Sequence, residues 1–166
     1  MSNVARHRVL ISAHRCNSAE AVAEAARVGA DYAEFDVRRA GDGTLVVSHD
    51  RVEVAGSVPS LDEVLAAVAA TGLGAHVDLK GADASAWAVD AAERCAARLD
   101  PASVVFTTGQ GAAAAALAAW TEASGSPAMV GLTVGQSTAH LRLPAAVRTR
   151  IGELYPTRRW RARSCA

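Results

Sequence analysis

The chain has 166 residues, 51% apolar and 20% charged, which is the size and composition of one globular domain with a substantial core. Seventeen basic and 17 acidic residues cancel to a formal net charge of +0, arguing against a dedicated nucleic-acid surface. No stretch reaches the roughly 20 apolar residues of a membrane span, the start lacks the apolar run of a signal peptide, and Cys16, Cys95 and Cys165 form no disulfide framework, so a reducing cytoplasm is the expected setting.

The first β-rich run covers residues 9–13 and ends in His14–Arg15. Asn17 reads as the N-cap of a helix over 18–28, with Glu20 three residues on and Gly29 at its stop. A second strand, 32–37, contains Glu34–Phe35–Asp36. It turns through Ala40–Gly41–Asp42–Gly43, whose Asp-Gly is a strong hairpin signal, into a third strand over 45–48 ending in His49–Asp50. Ser60–Leu61–Asp62–Glu63 is a capping-box sequence. It opens a helix in which Leu61, Val64, Leu65 and Val68 repeat at helical spacing and which Gly72 closes.

The strand over 75–79 carries Asp78–Leu79–Lys80, and a helix over 83–99 follows, closed by Asp100–Pro101. A strand over 104–107, a helix over 110–123, a strand over 129–134 and a helix over 144–154 complete the series. Residues 136–166 read as an atypical, weakly structured end to a single domain over 1–166, with Arg158, Arg159, Arg161 and Arg163 around Trp160 as a solvated tail. Alternating strands and helices imply an α/β fold with a largely parallel sheet. The alternation fits an open doubly wound sheet and a barrel equally.

Polar residues collect at the strand ends, where α/β folds place their sites. Residues two apart in a strand share a face, so Glu34 pairs with Asp36 and Asp78 with Lys80. Three carboxylates converging from neighbouring strands are costly without a cation, and a hard divalent ion such as Mg²⁺ or Ca²⁺ accepts oxygen ligands of this kind. A lone His-Arg or His-Asp pair says little, and Glu-x-Asp alone suits a solvated strand face. The information lies in their order and spacing.

That ordered set, His14–Arg15, Glu34–Phe35–Asp36 and His49–Asp50, resembles the glycerophosphodiester phosphodiesterase family. The sequence around it, residues 30–38, 43–50 and 58–65, is similar to the family as well, and the likeness covers residues 9–80. The resemblance implies a TIM barrel that hydrolyses a small-molecule glycerophosphodiester to an alcohol and glycerol 3-phosphate with a divalent metal. By that likeness Glu34, Asp36 and Asp78 would be metal ligands, His14 and His49 the general acid–base pair, and Arg15 and Lys80 the cations on the phosphate oxygens.

The chain departs from the family pattern at several places. Cys16 stands where the family has Gly, its Glu-Asn-Thr loop is shortened to Asn17–Ser18, and Asp78 replaces the usual Glu. The segment that binds the glycerol moiety is reduced to residues 51–57. With about six strands in place of eight, the resemblance implies an incomplete, TIM-barrel-like set of parallel βα units, its open edge available to a second copy of the chain. A truncated, non-catalytic relative that binds phosphate ligands or a partner is the alternative to the enzyme. A two-histidine phospholipase acting on lipids is a third reading, and no apolar entry surface supports it.

Overall fold

The computed structural model describes residues 9–133, and those up to Leu132 belong to one compact unit. The expected single domain over 1–166, the helix over 144–154 and the segment 136–166 extend outside the described residues.

The elements run β1 (Ser12–Ala13), α1 (Ala19–Arg27), β2 (Tyr32–Arg39), β3 (Leu45–Val47), α2 (Leu61–Thr71), β4 (Gly74–Leu79), α3 (Ala88–Ala96), β5 (Val104–Thr108), α4 (Gly111–Ser124) and β6 (Met129–Leu132). The sheet order is β1-β2-β4-β5-β6, with every neighbouring pair parallel. The Asp-Gly turn brings β3 back antiparallel on β2. Successive parallel strands joined by helices are βα units of the TIM-barrel type. The six described strands form an open sheet with β1 and β6 at its edges.

The two faces of the sheet differ because strand side chains alternate. Ala33, Phe35 and Val37 of β2, Ala75, Val77 and Leu79 of β4, and Val104 and Phe106 of β5 are buried in one cluster. They pack with Val22 and Ala25 of α1, Leu61, Leu65 and Val68 of α2, Ala91 and Cys95 of α3, and Leu117 of α4. The Phe106 ring of β5 meets Trp120 of α4 edge-on at 6.3 Å. The opposite face carries Glu34, Asp36, His76, Asp78 and Thr107. Among the described residues no helix is long and apolar enough to cross a membrane.

Helix boundaries follow the local chemistry closely, with two differences. In α1 the N-cap is Ser18, whose side chain accepts from the Ala21 N–H, and the expected cap Asn17 is turned elsewhere. The expected helix over 83–99 divides into a 3₁₀ turn at Ala84–Ala86 and α3, because Trp87 takes φ −137° and ψ 1° while its indole is buried. The first strand is also shorter than the β-rich run over 9–13. Its partner β2 starts only at Tyr32, so Val9, Leu10 and Ile11 precede the ladder and are exposed.

The capping box of α2 is complete. The Glu63 N–H donates to Ser60 Oγ at 3.3 Å, and the Ser60 N–H donates to Glu63 Oε2 at 2.7 Å. Gly72 closes the helix at φ +72°, a conformation only glycine adopts freely. Ser60 also bridges to Val46 of β3, so the cap fixes the helix to the hairpin. Ser60→Ala is expected to cost about 1 kcal/mol, read as a lower urea midpoint at unchanged m-value.

Candidate metal centre and active site

The parallel register of β2 and β4 pairs Glu34 with His76 and Asp36 with Asp78. Two acidic residues of β2 and one of β4 therefore rise from the same sheet face at adjacent levels. All three are buried, and one carboxylate oxygen from each lies within 4.8 Å of the others. The sequence expectation that Glu34, Asp36 and Asp78 converge is met.

Each carboxylate is held differently. Glu34 Oε2 accepts the Arg15 backbone N–H at 2.7 Å and lies 3.7 Å from His14 Nε2. Burial pushes the Glu34 carboxyl above its ordinary pKa. The Arg15 N–H and His14 oppose this, and the charges of Asp36 and Asp78 add to it. Asp36 receives the Asn17 Nδ2 amide on Oδ2 at 3.3 Å and Lys80 Nζ near Oδ1 at 3.2 Å. Asp78 Oδ2 takes Lys80 Nζ at 2.5 Å, while its Oδ1 is buried with no hydrogen-bond partner among the described residues.

These residues fit a divalent cation. An all-oxygen donor set suits Mg²⁺ or Ca²⁺ better than a soft or imidazole-seeking metal. The unpartnered Asp78 Oδ1 is the kind of buried acceptor that a cation satisfies. Three buried carboxylates facing one lysine also leave the cluster short of positive charge. Burial alone would lower the Lys80 pKa, but its hydrogen bond to Asp78 and the charges of Asp78 and Asp36 outweigh this and raise it.

The histidines approach the cluster along one flank of β2. β1 rises beside Tyr32 and Ala33, and the chain after it donates the Cys16 N–H to the Glu34 carbonyl at 2.7 Å. Between them His14 faces Glu34, and Arg15 stands at φ +63°, a left-handed conformation costing a non-glycine residue about 1 kcal/mol. β3 descends the same flank from the opposite direction, and the Ser48 N–H donates to the Asp36 carbonyl at 2.9 Å. His49 follows at once. Its ring Nδ1 lies 3.0 Å from Asp50 Oδ1, and its carbonyl accepts from Arg38 Nε at 2.9 Å.

The structure thus brings together His14, Glu34, Asp36, Asp78 and Lys80, with Arg15 joined through its backbone N–H. His49 stands on the same flank with its side chain 49% exposed and paired to Asp50. A hollow of about 520 Å³ opens beside it, lined by Ser48, Asp50, Arg51 and Glu53 among others.

Two site residues escaped the sequence reading. Asn17 clasps Asp36 from both sides, its Oδ1 accepting the Asp36 N–H at 3.1 Å and its Nδ2 reaching the carboxylate. The signal was the pair Asn17–Ser18: both can cap a helix, one is needed, and the other is left for a different partner. His76 lies on the acidic face beside Glu34, bonded to Ser12 Oγ and Thr107 Oγ1, each at 3.1 Å. Burial pushes its pKa down; Asp78 pulls it back up, and His14 and Lys80 add to the fall. The alternation of His76, Asp78 and Lys80 in one strand was its signal.

His14, Arg15, Glu34, Asp36 and His49 lie inside the segment that matches a known family, and Asp78 and Lys80 lie beyond it. Residues 7–69 match the sequence model described as "Glycerophosphoryl diester phosphodiesterase family", and the chain resembles that family. No curated protein sequence matches the chain. Among solved structures, a phosphodiesterase from Oleispira antarctica, in complex with the product sn-glycerol-3-phosphate, aligns with TM-score 0.68 at 18% identity, covering 88% of this chain and 72% of that one. A glycerophosphodiester phosphodiesterase from Parabacteroides distasonis aligns with TM-score 0.59 at 20% identity, over 74% of this chain and 64% of that one. One from Agrobacterium tumefaciens gives TM-score 0.54 at 21% identity, over 70% and 64%. The chain therefore spans about two thirds of the length of these structures, and the likeness establishes the TIM-barrel-like fold.

Proposed function

We propose that this chain is a divalent-metal-dependent hydrolase of glycerophosphodiesters, releasing an alcohol and glycerol 3-phosphate. The observation that carries the reading is the trio of buried carboxylates, Glu34, Asp36 and Asp78, within 4.8 Å of one another with His14 at its rim. The family match over residues 7–69 supports it.

In this reading Glu34, Asp36 and Asp78 hold the ion, which when bound polarises a phosphoryl oxygen as a Lewis acid. Arg15 and Lys80 balance the negative charge of the other phosphate oxygens. One of His14 and His49 removes the proton from the attacking oxygen, and the other donates a proton to the departing alkoxide. Imidazole suits both tasks because its ordinary pKa lies near neutrality. The segments that carry them leave strands running in opposite directions along one flank of β2. Asn17 and the Arg15 N–H position the Asp36 and Glu34 carboxylates from outside the reacting centre.

The test is release of glycerol 3-phosphate from glycerophosphocholine and glycerophosphoethanolamine, with Mg²⁺ or Ca²⁺ and with excess EDTA. Release with either metal, abolished by EDTA, is the expected result. A folded protein that binds metal yet turns over neither diester would leave the non-catalytic, phosphate-binding alternative in its place.

A further inference from the structure

Lys80 Nζ sits on one oxygen of each of two proposed ligands, Asp36 and Asp78, and we propose that it is an exchangeable counter-ion. It holds the ligand carboxylates together until a divalent cation displaces it, and is then free to meet a substrate phosphate. The inference rests on the metal reading above and adds an order of events to it: cation first, phosphate second.

The geometry supports exchange at Asp36 in particular. Its Oδ2 is engaged by the Asn17 amide, which belongs to the fixed turn before α1, whereas its Oδ1 faces Lys80 Nζ at 3.2 Å. The oxygen that the framework leaves to a cation is therefore the one Lys80 occupies. At Asp78 the ammonium takes Oδ2, and Oδ1 remains buried without a partner among the described residues. One ammonium thus spans two of the three carboxylates and leaves acceptor capacity unused.

Lys80 is also built to leave. Its backbone is fixed, the N–H donating to the Val37 carbonyl at 2.9 Å, but its side chain is 29% exposed against 1% for that of Asp36. A lysine stem has four rotatable carbons and carries a compact point charge, so the ammonium swings toward solvent with no movement of β4. The doubly charged ion interacts about twice as strongly with each carboxylate as the ammonium does at equal distance. That attraction, together with the unused Asp78 Oδ1, is set against the cost of dehydrating the ion. The displaced ammonium remains tethered at the strand end by the Lys80 backbone, available as a cation for a substrate phosphate.

Competition has a definite sign. Removing the competitor raises the affinity of the carboxylates for the ion, whereas removing a residue that merely orients them lowers it. Lys80→Met is expected to bind Mg²⁺ or Ca²⁺ about tenfold more tightly than the wild type by titration calorimetry. The EDTA-treated variant should melt at a lower temperature than the EDTA-treated wild type, and the gap should close in saturating metal, since linkage ties the two readouts together. Lys80→Gln, which keeps a hydrogen-bonding group of similar length, carries the test should the methionine variant not fold.

Affinities equal to or weaker than wild type in the variants would overturn the exchange while leaving the metal reading in place. No calorimetric metal binding by the wild type would overturn both.

Discussion

Asp36→Asn is expected to abolish both the metal response and the glycerophosphodiester turnover proposed for this protein. Asp36 is the most enclosed of the three carboxylates, its side chain 1% exposed. It is also the one clasped on two sides, by Asn17 and by Lys80. Asparagine has the same shape and keeps the backbone N–H to Asn17, but its single amide oxygen can accept from only one of Asn17 Nδ2 and Lys80 Nζ, so the variant loses the charge and one of those contacts. Without that charge the donor set falls from three carboxylates to two, while Lys80 still competes through Asp78. A wild-type protein at a metal concentration a hundredfold above Kd gains about 2.7 kcal/mol from binding, and the variant should gain none. Loss of the several kcal/mol that a metal contributes to phosphoryl charge stabilisation corresponds to roughly a 10³-fold fall in turnover. In EDTA the variant should melt below the wild type by only a modest margin, because relief of repulsion among the buried carboxylates offsets part of the cost of the lost contact. A variant that kept its metal-dependent thermal shift would remove Asp36 from the ligand set.

Much of this site was legible because strands write their faces into the sequence with period two. Phe35 and Val37 are apolar and pack on the helices, so Glu34 and Asp36 between them had to share the other face. The capping box at Ser60 and the Asp-Gly turn were equally local, and both stand in the structure as the residues imply. What the sequence could not express was register between strands. That Asp36 lies opposite Asp78 depends on β2 and β4 pairing 42 positions apart, as 78 less 36. The Lys80 bridge across both carboxylates, and the place of His76 beside Glu34, follow only from that pairing.

Local rules also conflicted at two points, and tertiary packing decided them. Asn17 and Ser18 are both good caps, and the buried Asp36 took the residue able to donate as well as accept. Residues 84–96 have helical composition throughout, but burying the Trp87 indole required a non-helical backbone there. Burial of one large ring outweighed a single turn's propensity.

His14→Ala supplies the complementary result to Asp36→Asn: turnover lost, metal response kept. His14 Nε2 stands 3.7 Å from Glu34 Oε2, with the ring 58% exposed toward the open side of the cluster. It is close enough to act on a group held by the carboxylates, yet it is not one of the three converging ligands. Glu34 keeps its 2.7 Å hydrogen bond from the Arg15 N–H when the imidazole is removed, so the ligand set survives truncation. General acid–base catalysis by one side chain is worth typically 10²–10⁴-fold, and a fall of that size in glycerol 3-phosphate release is expected, with the Mg²⁺- or Ca²⁺-dependent thermal shift preserved. His49→Ala should show the same pattern if both rings move protons: its ring is paired with Asp50, and the backbone just before it is bonded to Asp36 of β2. Undiminished release from His14→Ala would exclude it as acid or base. Loss of the thermal shift in the same variant would make it a support for Glu34, and the proton transfer would then have to come from another group on that face.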